Sequence, residues 1–295
     1  MKIHVHLGVH KTATTFIQSQ LHEAQALLAA GRIGFAGIWT VRRRFTQMFD
    51  RLAWFDPVWK PFVRAYLRRH LNDILLPQER KVDTFILSDE NLLGLIFVNY
   101  WTGRLYPHAG RRVRMLSDIA RDHDLHYFVA IRRYPDYLAS SWLQLASRGR
   151  APSFDKYLRR FPSHSPGWAE MIGDLVRLVG PERLTVWTYD WFDGDPVKAL
   201  ELLAPGVKFA VPDEKLRRDV LPSLTIKGML VVDRLQNQLS DAELKELSRL
   251  MRNFPFDEPN PRLEIADTAL IAAYEEKYRA DLDRIRALGV DLYAE

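Results

Sequence analysis

His6-Leu7-Gly8-Val9-His10-Lys11-Thr12-Ala13-Thr14-Thr15-Phe16 is the stretch on which the reading of this chain turns. The residues leading into it, Ile3 to Leu7, alternate apolar and polar and read as a strand. Gly8 supplies a tight turn, and the hydroxyl residues behind it open a helix. The first N–H groups of a helix lack intrahelical partners and sit at the positive end of its dipole, so such a terminus attracts anions. Lys11 adds a full positive charge there, and Thr12, Thr14 and Thr15 add hydroxyl donors. The stretch therefore reads as a phosphate cradle at the end of a strand. It is not a standard phosphate-binding loop, which carries Gly-Lys-Ser/Thr with a second glycine further upstream. Here His10 precedes Lys11, and Gly8 stands three positions before the lysine.

Outward from this loop, strand-like runs alternate with helical periodicity. Thr84–Leu87, Tyr127–Ile131 and Leu184–Trp187 are short and rich in β-branched or aromatic residues. Ile17, Leu21, Ala24 and Leu28 mark one apolar stripe of a helix ending near Gly31, and Leu138, Trp142 and Leu145 mark another. The alternation predicts an α/β fold, a central mostly parallel sheet flanked by helices. A helical insert is expected at about residues 40–80, with periodic Phe45, Phe49 and Leu52 and a second helix after Pro61. Three further helices are expected at Leu224–Gln238, Asp241–Asn253 and Ile265–Leu288. With no repeat or linker in view, the expectation is one domain over 1–295, its core at about 1–205 and helical additions at about 40–80 and 222–295.

Composition narrows the function classes. The chain of 295 residues is 47% apolar and 27% charged, which excludes wholesale disorder. Its longest apolar stretch, Phe85 to Val98, is interrupted by Asp89, Glu90 and Asn91, too short and too charged to cross a bilayer. The chain opens on Lys2-Ile3-His4 without the charged and apolar regions of a secretory signal, so a cytoplasmic location is expected. The absence of cysteine excludes a disulfide scaffold, a thiolate nucleophile and thiolate-bound zinc. The net charge of +5 is spread over pairs such as Arg68-Arg69 and Arg111-Arg112 rather than gathered in a stripe. That pattern fits a small anionic ligand and argues against nucleic acid.

Gly8-Val9-His10-Lys11-Thr12-Ala13-Thr14-Thr15 resembles the 5′-phosphosulfate loop of sulfotransferases that use 3′-phosphoadenosine 5′-phosphosulfate (PAPS), with Ala13 where that family usually has glycine. A second stretch, Val129-Ala130-Ile131-Arg132-Arg133-Tyr134-Pro135 through Ser141, is similar to the family's 3′-phosphate signature. There a strand ends in Arg-x-Pro and a serine follows eight residues after the arginine, which selects Arg133 and Ser141. An arginine at a strand's end offers a fork of donors to a phosphate, and Pro135 starts the next helix with φ already set. Thr185 to Asp190, followed by Asp195-Pro196, is similar to the family's late strand and helix, and Lys227 in Thr225-Ile226-Lys227-Gly228 to a late loop near the 3′-phosphate. The resemblance implies a phosphate-loop-like sulfotransferase core and a cofactor-binding set of Gly8, His10, Lys11, Thr12, Ala13, Thr14, Thr15, Arg133, Ser141 and Lys227.

Related carbohydrate sulfotransferases carry a glutamate just after the second core strand, and Ser88-Asp89-Glu90-Asn91 puts Glu90 there, with Asp89 as its neighbouring competitor. The resemblance thus implies Lys11 and Glu90 as the catalytic pair and an acceptor hydroxyl on a saccharide or other small molecule. Two other classes keep the same loops. A small-molecule kinase would use Asp89-Glu90 for magnesium, and a nucleotide-binding regulator would need no Glu90. Of the remaining features, Arg42-Arg43-Arg44 reads as a solvated face or a contact for an anionic acceptor. Trp39, Trp54, Trp59 and Trp101 would suit stacking on a sugar or aromatic acceptor, with core packing the expected role for most. His4, His6, His10 and the pair His123 and His126 lack the carboxylates and spacing of a metal site.

Overall fold

The computed structural model describes residues 1–52, 60–78, 81–147, 151–210, 226–235, 238–252 and 263–295. The chain begins with β1 (Lys2–His6), followed by α1 (Thr14–Glu23), α2 (Gln25–Ala30) and β2 (Ile33–Ala36). Next come α3 (Ile38–Val41), a π-helical turn at Arg42–Thr46, α4 (Gln47–Leu52) and α5 (Lys60–Leu75). β3 (Thr84–Ser88), a 3₁₀ turn at Glu90–Leu92, α6 (Ile96–Thr102) and α7 (Ala109–Ile119) lead to β4 (Asp124–Ile131). Beyond it lie α8 (Tyr134–Ala146), α9 (Phe154–Leu158), α10 (Trp168–Val179), β5 (Leu184–Thr188), α11 (Tyr189–Gly194) and α12 (Pro196–Leu203). The described remainder holds α13 (Ile226–Leu235), α14 (Asp241–Arg252), α15 (Thr268–Ala287) and β6 (Asp291–Tyr293).

The strands form one sheet in the order β2-β3-β1-β4-β5-β6, with every pairing parallel. Strand alternation sends successive side chains to opposite faces, and both faces are covered. Ile3, Val5 and Leu7 join Phe85, Leu87, Tyr127, Val129, Leu184 and Val186 in one core, beneath α5, α7, α8, α10 and α15. His4 and His6 alternate to the other face, where Ile86, Phe128, Ala130 and Trp187 pack under Ile17 and Leu21 of α1 and Leu200 and Leu203 of α12.

β1 is where the strand order reverses: β2 and β3 lie to one side of it and β4, β5 and β6 to the other. In open parallel sheets, loops at the carboxyl ends of the strands diverge at such a point and leave a crevice for ligands. The loops after β1, β3 and β4, which carry the sequence motifs, all emerge at that edge.

The expected elements are present, with corrections at their edges. The helix after β1 breaks at Ala24 into α1 and α2. β2 and β6 were not expected: β2 is a four-residue edge strand containing Gly34 and Ala36, and β6 has three residues. Trp54, Trp59 and the expected helix ends at Leu224 and Asn253 lie outside the described residues, and Gln238, an expected helix end, is in a turn beyond α13. Among the described residues no helix is long and apolar enough to cross a membrane.

Candidate functional site

The loop from Gly8 to Ala13 is built from alternating backbone hands. Gly8 (φ 47°), Lys11 (φ 68°) and Ala13 (φ 60°) are left-handed, whereas Thr12 between the last two is not. Such alternation turns successive N–H groups toward one concavity, an anion-binding nest. At Gly8 the conformation demands glycine twice over. A Cβ there would stand 2.6 Å from Thr14 Oγ1, in addition to the left-handed strain. α1 then begins with Ala13 as its N-cap and no side chain bonded to its first N–H groups, so the helix end adds to the cradle.

The threonines divide the work differently from the sequence expectation. Thr12 is buried and its hydroxyl donates to Val9 O (2.5 Å), while the Thr14 hydroxyl reaches the same carbonyl at 3.5 Å. These two hydroxyls brace the turn instead of facing outward. Thr15, on the first turn of α1, remains partly exposed, as does Lys11. His10 is not a surface donor either. It is buried, with Nε2 2.9 Å from Asn91 Oδ1 and Nδ1 2.8 Å from the Tyr106 hydroxyl, while its backbone N–H donates to that hydroxyl at 3.0 Å. Because Asn91 Oδ1 can only accept, Nε2 carries a proton. Tyr106 is in turn approached by the Tyr137 hydroxyl, and Asn99 ties both tyrosines through its amide. The loop is thus fastened to the interior through His10.

β3 ends beside it. Ser88 is fully buried and receives Gln18 Nε2 from α1, which fixes α1 against the strand. Asp89 caps the 3₁₀ turn through Asn91 N–H, and its side chain is fully buried. Glu90 follows with a side chain only 13% exposed. Arg42, from the π-helical turn, spans the two carboxylates: Nη2 lies 2.6 Å from Asp89 Oδ1 and 2.9 Å from Glu90 Oε1, and Nε 3.3 Å from Asp89 Oδ2. Glu90 Oε2 is buried and has no hydrogen-bond partner. Burial pushes Asp89 up from the ordinary carboxylate value, against the pull of Arg42. Burial acts on Glu90 as well, but the charges of His10 and Arg42 outweigh it and hold Glu90 below its usual value, ionised at neutral pH. An ionised carboxylate with one uncommitted oxygen, held near a phosphate-type cradle, is equipped to take a proton from a ligand hydroxyl.

The second motif is split by the fold. Arg133 is the N-cap residue of α8 and is exposed, its guanidinium paired with Glu275 of α15 at 2.6 and 3.0 Å. Ser141 lies two turns on and is completely buried beside the hydroxyls of Tyr137 and Tyr157. Eight residues of helix advance the direction by about 80° beyond two full turns, enough to carry Ser141 inward while Arg133 stays at the rim. The expected pairing of Arg133 with Ser141 on one ligand-facing surface is therefore corrected: only Arg133 is reachable. Lys227 sits in the first turn of α13, partly buried, on a helix that packs against α8.

No family model matches this chain, and no curated protein matches it. The site therefore stands on its own geometry. Two of its arginines escaped the sequence reading. Arg132 donates to Lys11 O at 2.7 Å and stacks over the Tyr189 ring, so the arginine beside the loop is the one preceding Arg133. Arg42 belongs to the run Arg42-Arg43-Arg44, which the sequence presents as a solvated face or a contact for an anionic acceptor. Its neighbours Arg43 and Arg44 are exposed, but Arg42 turns inward.

Proposed function

We propose that the protein is a sulfotransferase that moves a sulfuryl group from PAPS to the hydroxyl of an acceptor, with a saccharide as the first candidate class. The observation that carries this reading is the pairing, at the reversal point of a parallel sheet, of an alternating-handed loop holding Lys11 with an ionised Glu90 whose Oε2 is uncommitted. In this reading the N–H groups of residues 12–15, at the start of α1, and the Lys11 side chain hold the 5′-phosphate, and Arg133 serves the 3′-phosphate, exchanging Glu275 for it. The acceptor oxygen bonds to sulfur as the bridging S–O bond breaks. The electron pair of that bond stays on the phosphate oxygen, where Lys11 offsets the new charge. The acceptor proton passes to Glu90 Oε2. Positioning and charge stabilisation suffice for such an in-line transfer.

The kinase reading has less support. It needs Asp89 for a metal, and Asp89 is fully buried with its oxygens engaged by Arg42 and Asn91 N–H. A cytoplasmic setting belongs to the same proposal. The test is release or transfer of labelled sulfate from PAPS by the purified protein. Lys11→Ala is expected to lower kcat by at least about a hundredfold, the scale of losing one electrostatic stabiliser of developing charge. Turnover close to that of the unaltered protein removes Lys11 from the chemistry.

A further inference from the structure

Glu90 does not hold its position alone. Asp89 and Glu90 are consecutive carboxylates, and bringing two such charges into a largely buried turn is unfavourable unless a cation compensates them. Arg42 is the cation that reaches both, engaging both oxygens of Asp89 and Oε1 of Glu90. It reaches them from the start of the π-helical turn Arg42–Thr46, between the helical segments α3 and α4. A π turn carries an extra residue per hydrogen-bonded ring and re-aims the side chains around it, and such turns concentrate at functional sites. Phe45 and Phe49, both fully buried, anchor the segment from which Arg42 projects. Of the four carboxylate oxygens, Arg42 leaves one, Glu90 Oε2, without a partner.

We propose that Arg42 is the positioning residue of the site: its guanidinium pins Glu90 through Oε1 and thereby presents Oε2 as the proton-accepting atom. The positioning stands on the contacts above, and the proton transfer it serves rests on the sulfotransferase reading. The groups that act on Glu90 are His6 of β1, His10 of the loop, Asp89 beside it, Tyr106 beneath His10, and Arg42, while Arg112 of α7, paired with Asp50, bonds the carbonyls of Asn91 and Leu92 in the same turn. His10 and Arg42 are the two whose charge favours the ionised form of Glu90. Removing Arg42 therefore raises the pH at which Glu90 takes up a proton.

The experiment is a carbon-13 NMR titration of the protein labelled at glutamate side-chain carboxyls, the Glu90 signal being assigned by its loss in Glu90→Gln. Arg42→Gln is expected to raise the Glu90 midpoint by about one pH unit or more, the usual effect of losing an opposite charge at hydrogen-bond distance. Arg42→Lys, a point charge without the fork, is expected to restore part of that shift. Sulfate release from PAPS with water as acceptor should fall at least about tenfold in Arg42→Gln, and its acidic limb should move to higher pH with the NMR midpoint. Affinity for 3′,5′-adenosine bisphosphate should stay within about twofold. An unmoved Glu90 midpoint in folded Arg42→Gln, or in Arg42→Met if the glutamine variant does not fold, overturns the positioning role. So does PAPS turnover that Arg42→Gln leaves unchanged. If the unaltered protein neither binds the bisphosphate nor turns over PAPS, the sulfotransferase reading and the catalytic half of this proposal fall together. The titration still decides whether Arg42 governs Glu90.

Discussion

At the scale of single residues, Ala13 shows how a loop can keep its shape with an unfavourable residue. Its φ of 60° places it in the left-handed region, where a Cβ costs roughly 1–2 kcal/mol and glycine costs nothing sterically. The resemblance to the phosphosulfate loop marks this position as one where glycine is usual, and the backbone gives the reason. The loop holds the conformation because Thr12 and Thr14 tie it to Val9 O and Tyr106 ties His10. Ala13→Gly should relieve the strain while adding some unfolded-state entropy, for a net gain of about 0.5–1 kcal/mol. The urea midpoint of unfolding would then rise. A lower midpoint would mean that Ala13 is not left-handed in solution. Lys11, also left-handed, was legible from the sequence as a charge at a helix end, but its backbone conformation was not. Nor was Arg42, since three consecutive arginines give no sign of which one turns inward. Arg132 was overshadowed by Arg133 because the spacing to Pro135 and Ser141 singles out the second arginine of the pair.

At the scale of elements, the four central strands were readable because each is a short β-branched or aromatic run. β2 was not, since Gly34 and Ala36 carry little strand propensity and the strand is held by its pairing with β3. The π-helical turn has no sequence signature at all, because it is a change of hydrogen-bond register within a helical stretch. Ser141 was placed correctly on α8, but a helix periodicity does not say which flank the neighbouring tyrosines will seal. β1 carries a further consequence. His4 and His6 alternate onto the face under α1 and α12, and burial lowers the pKa of each to about 4 from an ordinary 6.5. The unfolded chain therefore binds these protons before the folded one does. Stability should fall as pH drops from about 6.5 to about 4, by up to about 3 kcal/mol for each histidine, and level off below that window with respect to these groups. Urea unfolding measured across the window checks this, with His6→Gln expected to flatten the curve. A slope that His6→Gln leaves intact would show that His6 is not a source of it.

At the scale of the whole molecule, the arrangement gathers its chemistry at one edge. The all-parallel order β2-β3-β1-β4-β5-β6 puts the loops bearing Lys11, Glu90 and Arg133 at the same carboxyl edge of adjacent strands. The α/β class and the parallel sheet were legible from the alternation of short strand runs with helical stripes. The split of Arg133 from Ser141, and the ion pair between Arg133 and Glu275 of α15, were not legible, because they depend on how α8 rolls against helices far away in the chain. On the proposed function, this edge takes a 3′-phosphorylated adenosine phosphosulfate rather than a nucleoside triphosphate. Calorimetric titration of the protein with 3′,5′-adenosine bisphosphate and with ATP in parallel, each with magnesium and again with chelator, tests it most directly. Saturable binding of the bisphosphate without metal, and none of ATP, is the expected result. Metal-dependent binding of ATP with no binding of the bisphosphate would contradict it.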